Sequence, residues 1–193
     1  WTRNLNGAGG IQSGNGQETR KEGEGAKLSC SSLSQQVWKV LWSLNMSHKV
    51  KMFIWKGLTD AVPVKELIWR RVKVGDPICT MCGEEVETLE HMLLKCSKVK
   101  DIWKLAPIHW DGSEHRSDKF KEWWTVVSEA RCRIQGKAHI GLTAYILWQI
   151  WKNRNNKVFN NKDMYPTTIV NKTYNAWCEM QQGKLGNGAL RNQ

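Results

Sequence analysis

Apolar residues recur at helical spacing along most of the chain beyond about residue 36. A pattern of i, i+3, i+4 and i+7 places apolar side chains on one face of an α-helix. The first such stripe consists of Val37, Val40, Leu41 and Leu44. The second consists of Val50, Phe53, Ile54 and Leu58. The sequence therefore predicts two consecutive helices, each with one buried face.

Proline marks the limits of three later helices. Pro63 and Pro166 suit the first turn of a helix, where the missing N–H has no partner in any case, and Pro107 ends a third. The apolar residues assigned to the interior of these helices are Val64, Leu67 and Ile68, then Val99, Ile102 and Trp103, then Ile169, Val170, Tyr174 and Trp177.

Two more helices are predicted from spacing alone. One follows Ser117, a candidate N-cap, and the other spans about 138–154, before the polar run RNNKVFNNKDMY, which predicts a turn. Their stripes are Phe120, Trp123, Trp124 and Val127, then Ile140, Ala144, Leu147 and Trp151. A loop is predicted at residues 107–117. No alternating pattern indicates a β-strand.

Four residues have the spacing of metal ligands. Cys79, Cys82, His91 and Cys96 follow the pattern C-x2-C-x8-H-x4-C. Zinc prefers four tetrahedral N and S ligands at about 2.0–2.3 Å. Because all four positions are filled, no vertex is left for a reacting water. The pattern predicts a structural zinc ion as the cofactor.

The sequence around these ligands favours the required local geometry. Gly83 follows the second cysteine, where a tight turn often needs a positive φ. Thr88 can cap a short helix over about 89–95 that carries His91. The metal would then join a turn to a helix.

The alternative use of cysteine is a disulfide framework. Six cysteines would allow three disulfides in 15 connectivities. The first 25 residues contain no apolar segment typical of a signal peptide, and Cys30, Cys132 and Cys178 have no framework spacing. We therefore expect an intracellular protein in which these three are buried free thiols and the clustered cysteines bind metal.

The domain organisation follows from these patterns. We expect a mainly α fold, in which a small helical domain at 36–106 is held together by the Cys3His zinc site and 107–182 forms a helical extension. Residues 1–35 are rich in Gly, Ser, Asn, Gln and charge, and cannot bury enough apolar surface to offset their ordering entropy. We expect disorder there and in a tail at 183–193.

The charge of the chain favours a polyanionic partner. The formal net charge is +11. Residues 36–75 contribute +6 and residues 147–193 contribute +5, whereas residues 76–101 around the predicted ligands contribute −3. No apolar run approaches the ~20 residues that a membrane span needs, so no membrane partner is expected.

Six basic residues near the predicted zinc loop are candidate nucleic-acid contacts. Lysine and arginine bind phosphate in a salt-sensitive and largely sequence-independent way. Exposed tryptophan can stack on unpaired bases, at about 1–3 kcal/mol per base. The alternative is that these side chains are solvated, or complement the dipole at a helix C-terminus. The candidates are Lys49, Lys51, Lys56, Arg70, Arg71 and Lys73.

The quoted motifs resemble a known family. WKVLWSL, KVKMFIWKGL, VPVKELIWRRV and ICTMCGEEVETLEHMLLKCSKVKDIW together are similar to the zinc-binding domain of plant LINE-type (non-LTR) retrotransposon reverse transcriptases. The resemblance covers about 36–180 and is strongest at 38–103. It implies RNA or DNA and the polymerase domain of the same element as partners, a nuclear location, and a parent polyprotein that resembles an RNA-directed DNA polymerase.

The sequence offers no catalytic constellation of its own. The Tyr-Asp-Asp motif of the polymerase is absent, and Asp111, which echoes the first aspartate of a ribonuclease H, has no matching acidic set. We expect a non-catalytic accessory module that binds zinc and RNA or DNA, without a small-molecule substrate. The alternative is a structural or protein-interaction module, or a degenerate remnant of a retroelement, that does not bind nucleic acid.

Overall fold

Helices form most of the chain that the computed structural model describes, which is residues 34–108, 110 and 118–189, with side chains to residue 182. In chain order they are α1 (Gln35–Ser43), α2 (His48–Leu58), α3 (Lys65–Val72), α4 (Ser97–Leu105), α5 (Phe120–Glu129), α6 (Gly136–Asn160) and α7 (Pro166–Ala189). A π-helical turn (His91–Lys95) precedes α4, and a 3-10 turn (Ala130–Cys132) follows α5. The only β pairing in the described residues is one antiparallel bridge between Ile78 and Val86. The mainly α fold class is confirmed.

Helix α6 is the centre of the packing. It contacts α2, α7 and the π-helical turn. Ile140, Ala144 and Leu147 are completely buried along it. The apolar stripes of α1 and α2 are buried as their spacing predicts, at no more than 4% exposure. Helix α2 packs on α6, and α1 packs on α2 and α5.

Helix α5 closes the core through aromatic side chains. Phe120, Trp123 and Trp124 are almost fully buried, with ring centroids 5.9–6.3 Å apart. Gly57 of α2 allows the close approach, because a Cβ there would lie 2.7 Å from the Phe120 ring. Gly57 is therefore required by packing and not by backbone conformation.

The interior predicted for α3 is wrong in part. Val64 is buried just before the helix, but Leu67 is only half-buried and Ile68 is 44% exposed. Helix α3 itself buries no residue fully. Spacing predicts which side of a helix is apolar, but not whether another element covers that side.

The turn predicted from RNNKVFNNKDMY is also wrong in its first half. Helix α6 continues through this run and ends at Asn160, where Asn161 adopts a left-handed conformation with φ of 50°. The run contains no glycine or proline to stop the helix, and Asn153 and Arg154 are buried rather than solvated. Polar residues here serve tertiary contacts that a sequence pattern does not reveal.

Several predictions concern residues outside the described ranges. Of the disorder expected at 1–35 and 183–193, only residues 1–33 and 190–193 lie there, because Gln35 belongs to α1 and α7 continues to Ala189. The others are the free thiol of Cys30, most of the loop at 107–117, the cap at Ser117, and the comparison of Asp111 with a ribonuclease H. The three domain boundaries, including the one placed between 182 and 183 within α7, stay predictions. No helix in the described part of the chain is both long and apolar enough to cross a membrane.

Candidate metal centre

The four predicted ligands come together in space. One donor atom from each of Cys79, Cys82, His91 and Cys96 lies within 4.8 Å of every other. The Cys79 and Cys96 Sγ atoms are 4.0 Å apart, and Cys82 Sγ lies 3.3 Å from His91 Nε2. A tetrahedron with zinc–ligand bonds of about 2.0–2.3 Å has edges of about 3.3–3.8 Å. The donor set and its spacing therefore fit a zinc ion.

The two N-terminal ligands lie on a tight turn. Gly83 N donates to Cys79 O at 2.8 Å, and Cys79 N donates to Glu85 O at 2.8 Å. Gly83 has a φ of +74°, which a residue with a Cβ rarely adopts. The bridge between Ile78 and Val86 closes the base of this turn. Two thiolates thus face the same point.

The two C-terminal ligands lie on one widened helical turn. Thr88 caps it, since its Oγ1 accepts a hydrogen bond from His91 N at 3.0 Å. Cys96 N donates to His91 O at 2.9 Å, which is a bond between residues five apart. This π-type spacing brings the side chains of His91 and Cys96 to the same side of the helical turn. The helix and its cap were predicted from the sequence, but the π geometry was not.

A carboxylate orients the histidine ligand. Glu85 Oε2 lies 3.1 Å from His91 Nδ1, so that nitrogen can donate its proton and leave Nε2 free for the metal. Metal-bound histidines usually bond in this way to a carboxylate or carbonyl, which fixes the tautomer and ring orientation. Sequence analysis missed the role of Glu85, although a Glu between the ligand pairs is visible in CGEEVETLEH.

Replacement of Glu85 is expected to weaken zinc binding without unfolding the protein. Loss of such a partner typically costs 10–100-fold in metal affinity, so Glu85→Gln should do so in a chelator competition titration. Glu84→Gln is the matched control, because Glu84 is also exposed, whereas the carboxylate that pairs with His91 belongs to Glu85. Equal affinities of the two variants would show that Glu85 does not act on the ligand.

Burial makes the ligand set compact and its thiols interdependent. Cys79, His91 and Cys96 are at most 4% exposed. With no metal bound, the hydrogen bond from Cys96 lowers the pKa of Cys79 to about 4, whereas the same bond and burial raise the pKa of Cys96. The pair then shares one proton, and a cation must replace it for both sulfurs to bind as thiolates.

A buried ion pair ties this centre to the rest of the fold. Glu87 is completely buried and Arg154 of α6 is 4% exposed. Arg154 Nε donates to Glu87 Oε2 at 3.1 Å, and its Nη2 donates to Oε1. The backbone N of Lys65, the first residue of α3, also donates to Glu87 Oε1, at 2.9 Å. Glu87 therefore connects the metal-binding loop with both α3 and α6. Nothing in the sequence indicates this pairing of residues 67 apart.

The structure places the basic candidates on two helices. On α2, Lys49 and Lys56 are exposed, whereas Lys51 is half-buried and its Nζ donates to Trp42 O at 2.9 Å. The other three are exposed near the end of α3, at Arg70, Arg71 and Lys73.

The described cysteines form no disulfide. Cys79, Cys82, Cys96, Cys132 and Cys178 are all free thiols. Cys132 is exposed and Cys178 half-buried, so neither is the fully buried thiol that the sequence suggests. The disulfide alternative therefore finds no support in the described part of the chain.

Helices around a Cys3His cluster define the class, which is a helical metal-binding module. Residues 26–103 match a family described as zinc-binding in reverse transcriptase. A putative ribonuclease H protein of Arabidopsis thaliana is 26% identical over 119 residues, which is 62% of this chain and 19% of that protein. The chain thus spans about a fifth of the length of this relative. No solved structure matches this chain significantly. The matches support a zinc-binding domain of the reverse-transcriptase type and show no catalytic domain.

Proposed function

We propose that this protein is a non-catalytic module of a LINE-type retrotransposon reverse transcriptase, in which a structural zinc ion supports binding to RNA or DNA. Cys79, Cys82, His91 and Cys96 hold the zinc. Its four-coordinate, buried site leaves no position for substrate, so the metal serves folding. A nuclear location and a contact with the polymerase domain would follow from this role.

One surface on α3 is the main support for nucleic-acid binding. We call Trp69, Arg70, Arg71 and Lys73 the α3 basic surface. Trp69 is 40% exposed, and Lys73 Nζ lies 4.7 Å from the centroid of its ring. Arginines beside an exposed tryptophan offer phosphate contacts and a stacking platform together, which is how single-strand binders are built.

The metal-binding loop sets the position of this surface. Lys65 Nζ donates to Ile78 O at 2.7 Å, and Glu66 N donates to Glu87 O at 3.2 Å. Both acceptors belong to the loop that carries the ligands. Zinc would therefore support nucleic-acid binding indirectly, by holding the first turn of α3.

Binding to nucleic acid is expected to be salt-sensitive and to depend on the α3 basic surface. Labelled single-stranded and duplex RNA and DNA would be titrated with zinc-loaded protein at several salt concentrations, by fluorescence anisotropy. Each lost phosphate contact lowers the slope of log K against log[salt] by about 0.7 for a single strand. The variant R70A/R71A/K73A should therefore flatten the slope by up to about 2.

The control removes the same charge elsewhere. K39A/K100A/K137A replaces three exposed lysines on α1, α4 and α6. If this control weakens binding as much as the α3 variant does, only net charge matters. If the folded, zinc-loaded protein binds no nucleic acid at low salt, the proposed function is wrong.

The second candidate is a protein-interaction module. Ile68, Val72 and Val74 are 44–73% exposed beside the α3 basic surface. Contiguous exposed apolar residues of this kind often mark a partner interface. Binding to the polymerase domain of the same element with little salt dependence, and no binding to nucleic acid, would favour this candidate.

A further inference from the structure

A groove between α2, α6 and α7 has no role in the metal centre. Its volume is about 400 Å³, within the range of small-ligand sites. Its walls include Ser47 and Lys49 at the start of α2, Trp148, Gln149 and Lys152 from α6, and Glu179 from α7. None of these residues belongs to the α3 basic surface.

The first observation is an amide side chain in the groove wall that forms no hydrogen bond within the described part of the chain. Gln149 is only 6% exposed, and its side chain forms no hydrogen bond with any described residue, yet it lines the groove. Its two donors and its acceptor are thus available to a ligand that enters the groove.

The second observation is an anion-binding end. Helix α2 begins beside the groove with no acidic residue in its first turn, and the Ser47 side chain makes no capping bond. Free N–H groups at a helix start attract phosphate. The side chains of Lys49 and Lys152 are exposed here, and neither forms an ion pair with a described residue. Two cations and a helix N-terminus therefore meet at one groove.

The third observation is a fixed aromatic ring. Trp148 is half-buried in the wall of the groove. Its ring stacks on Trp151, with centroids 4.9 Å apart, and meets Phe53 nearly edge-on at 5.5 Å. These neighbours fix its orientation, so contact with a planar ligand would require little reordering.

We propose that this groove binds one unpaired nucleotide of an RNA or DNA strand. The phosphate contacts Lys49, Lys152 and the start of α2, and the base packs against Trp148. Gln149 hydrogen-bonds the edge of the base, which is accessible only when the nucleotide is unpaired. Glu179, on the α7 side, accepts a hydrogen bond from the sugar or from an amino group of the base. This inference rests on the proposed function and names a second contact site for the same strand.

Photo-crosslinking tests the site in the unmodified protein. A 12-nucleotide single strand that contains 4-thiouridine would be irradiated with the zinc-loaded full chain, and the crosslinked peptides identified by mass spectrometry. We expect a crosslink within residues 145–152. If the strand binds but crosslinks only to α3, the proposed nucleotide site in the groove is wrong, whereas the proposed function is not contradicted.

Substitutions measure the contribution of the groove. Q149L, which keeps the volume of the side chain, and K49Q/K152Q are each expected to weaken single-strand binding about 10-fold, with duplex binding nearly unchanged. K100Q/K137Q removes the same charge from exposed positions outside the groove and should change binding less than 2-fold. Circular dichroism verifies that each variant is folded.

Three results would contradict the proposal. Wild-type affinity of both groove variants would show that the groove is not used. An equal loss of duplex binding would show that it does not select unpaired nucleotides. Adenosine monophosphate bound as tightly as the 12-nucleotide strand would indicate a free-nucleotide site instead. Failure of the wild type to bind any strand would count against the proposed function itself.

Discussion

Replacement of Cys82 by serine, or removal of zinc with a chelator, is expected to unfold residues 60–105. The binding free energy of a structural zinc ion in small zinc domains is about 10–16 kcal/mol, and it is also folding energy. The loop that carries the ligands holds the start of α3 through hydrogen bonds of Lys65 and Glu66, and the ligands His91 and Cys96 flank the π-helical turn before α4. Far-ultraviolet circular dichroism should show a loss of helix, and hydrogen exchange should localise it to this region.

The matched control is Cys132→Ser. Cys132 is an exposed cysteine on the 3-10 turn, away from the ligand cluster. The Cys132→Ser variant should keep both the zinc stoichiometry and the helical signal of the wild type. Unchanged helicity and exchange after zinc removal would show that the metal does not support the fold.

Replacement of Arg154 by methionine is expected to give the second-largest loss of stability. Removal of one partner of a buried ion pair typically costs about 3–5 kcal/mol, because the other charge remains buried and unpaired. The Glu87 carboxylate would then keep only its hydrogen bond from Lys65 N. Urea unfolding of the zinc-loaded protein should show a decrease of this size in the free energy of unfolding.

The double variant E87Q/R154M separates the loss of charge from the loss of packing. The amide oxygen of the introduced glutamine would remain an acceptor for Lys65 N, and no unpaired charge would be left. Replacing a buried ion pair by hydrophobic residues is often neutral or stabilising. Because the glutamine NH2 group would remain buried without a partner, we expect recovery of part of the lost stability. If the double variant is as unstable as R154M alone, the pair is not the cause.

The buried pair also bears on the extent of the folding unit. The family match ends at residue 103, yet Glu87 inside it pairs with Arg154 outside it. The π-helical turn that carries His91 packs on α6 as well. The metal centre therefore depends on the C-terminal helices, and a protein cut at the end of the match would lack the partner of Glu87.

Local spacing was sufficient to predict part of this protein. The C-x2-C-x8-H-x4-C pattern identified all four clustered donors, because a CxxC turn and a capped helix position their ligands by local geometry. The stripes of α1, α2 and α5 were predicted for the same reason, since helical periodicity repeats within a few residues. The charge distribution indicated a polyanionic partner, which is still a proposal.

Tertiary structure decided what depends on distant residues. Whether Ile68 is covered, whether Arg154 is solvated or paired, and whether Gln149 has a partner all depend on which helix lies opposite. Glu87 and Arg154 are far apart in sequence, and neither has a periodic signal, so no local pattern could join them. The sequence by itself thus determined the helices and the metal ligands, whereas only the packing of α6 showed how that centre is held and where a groove remains open.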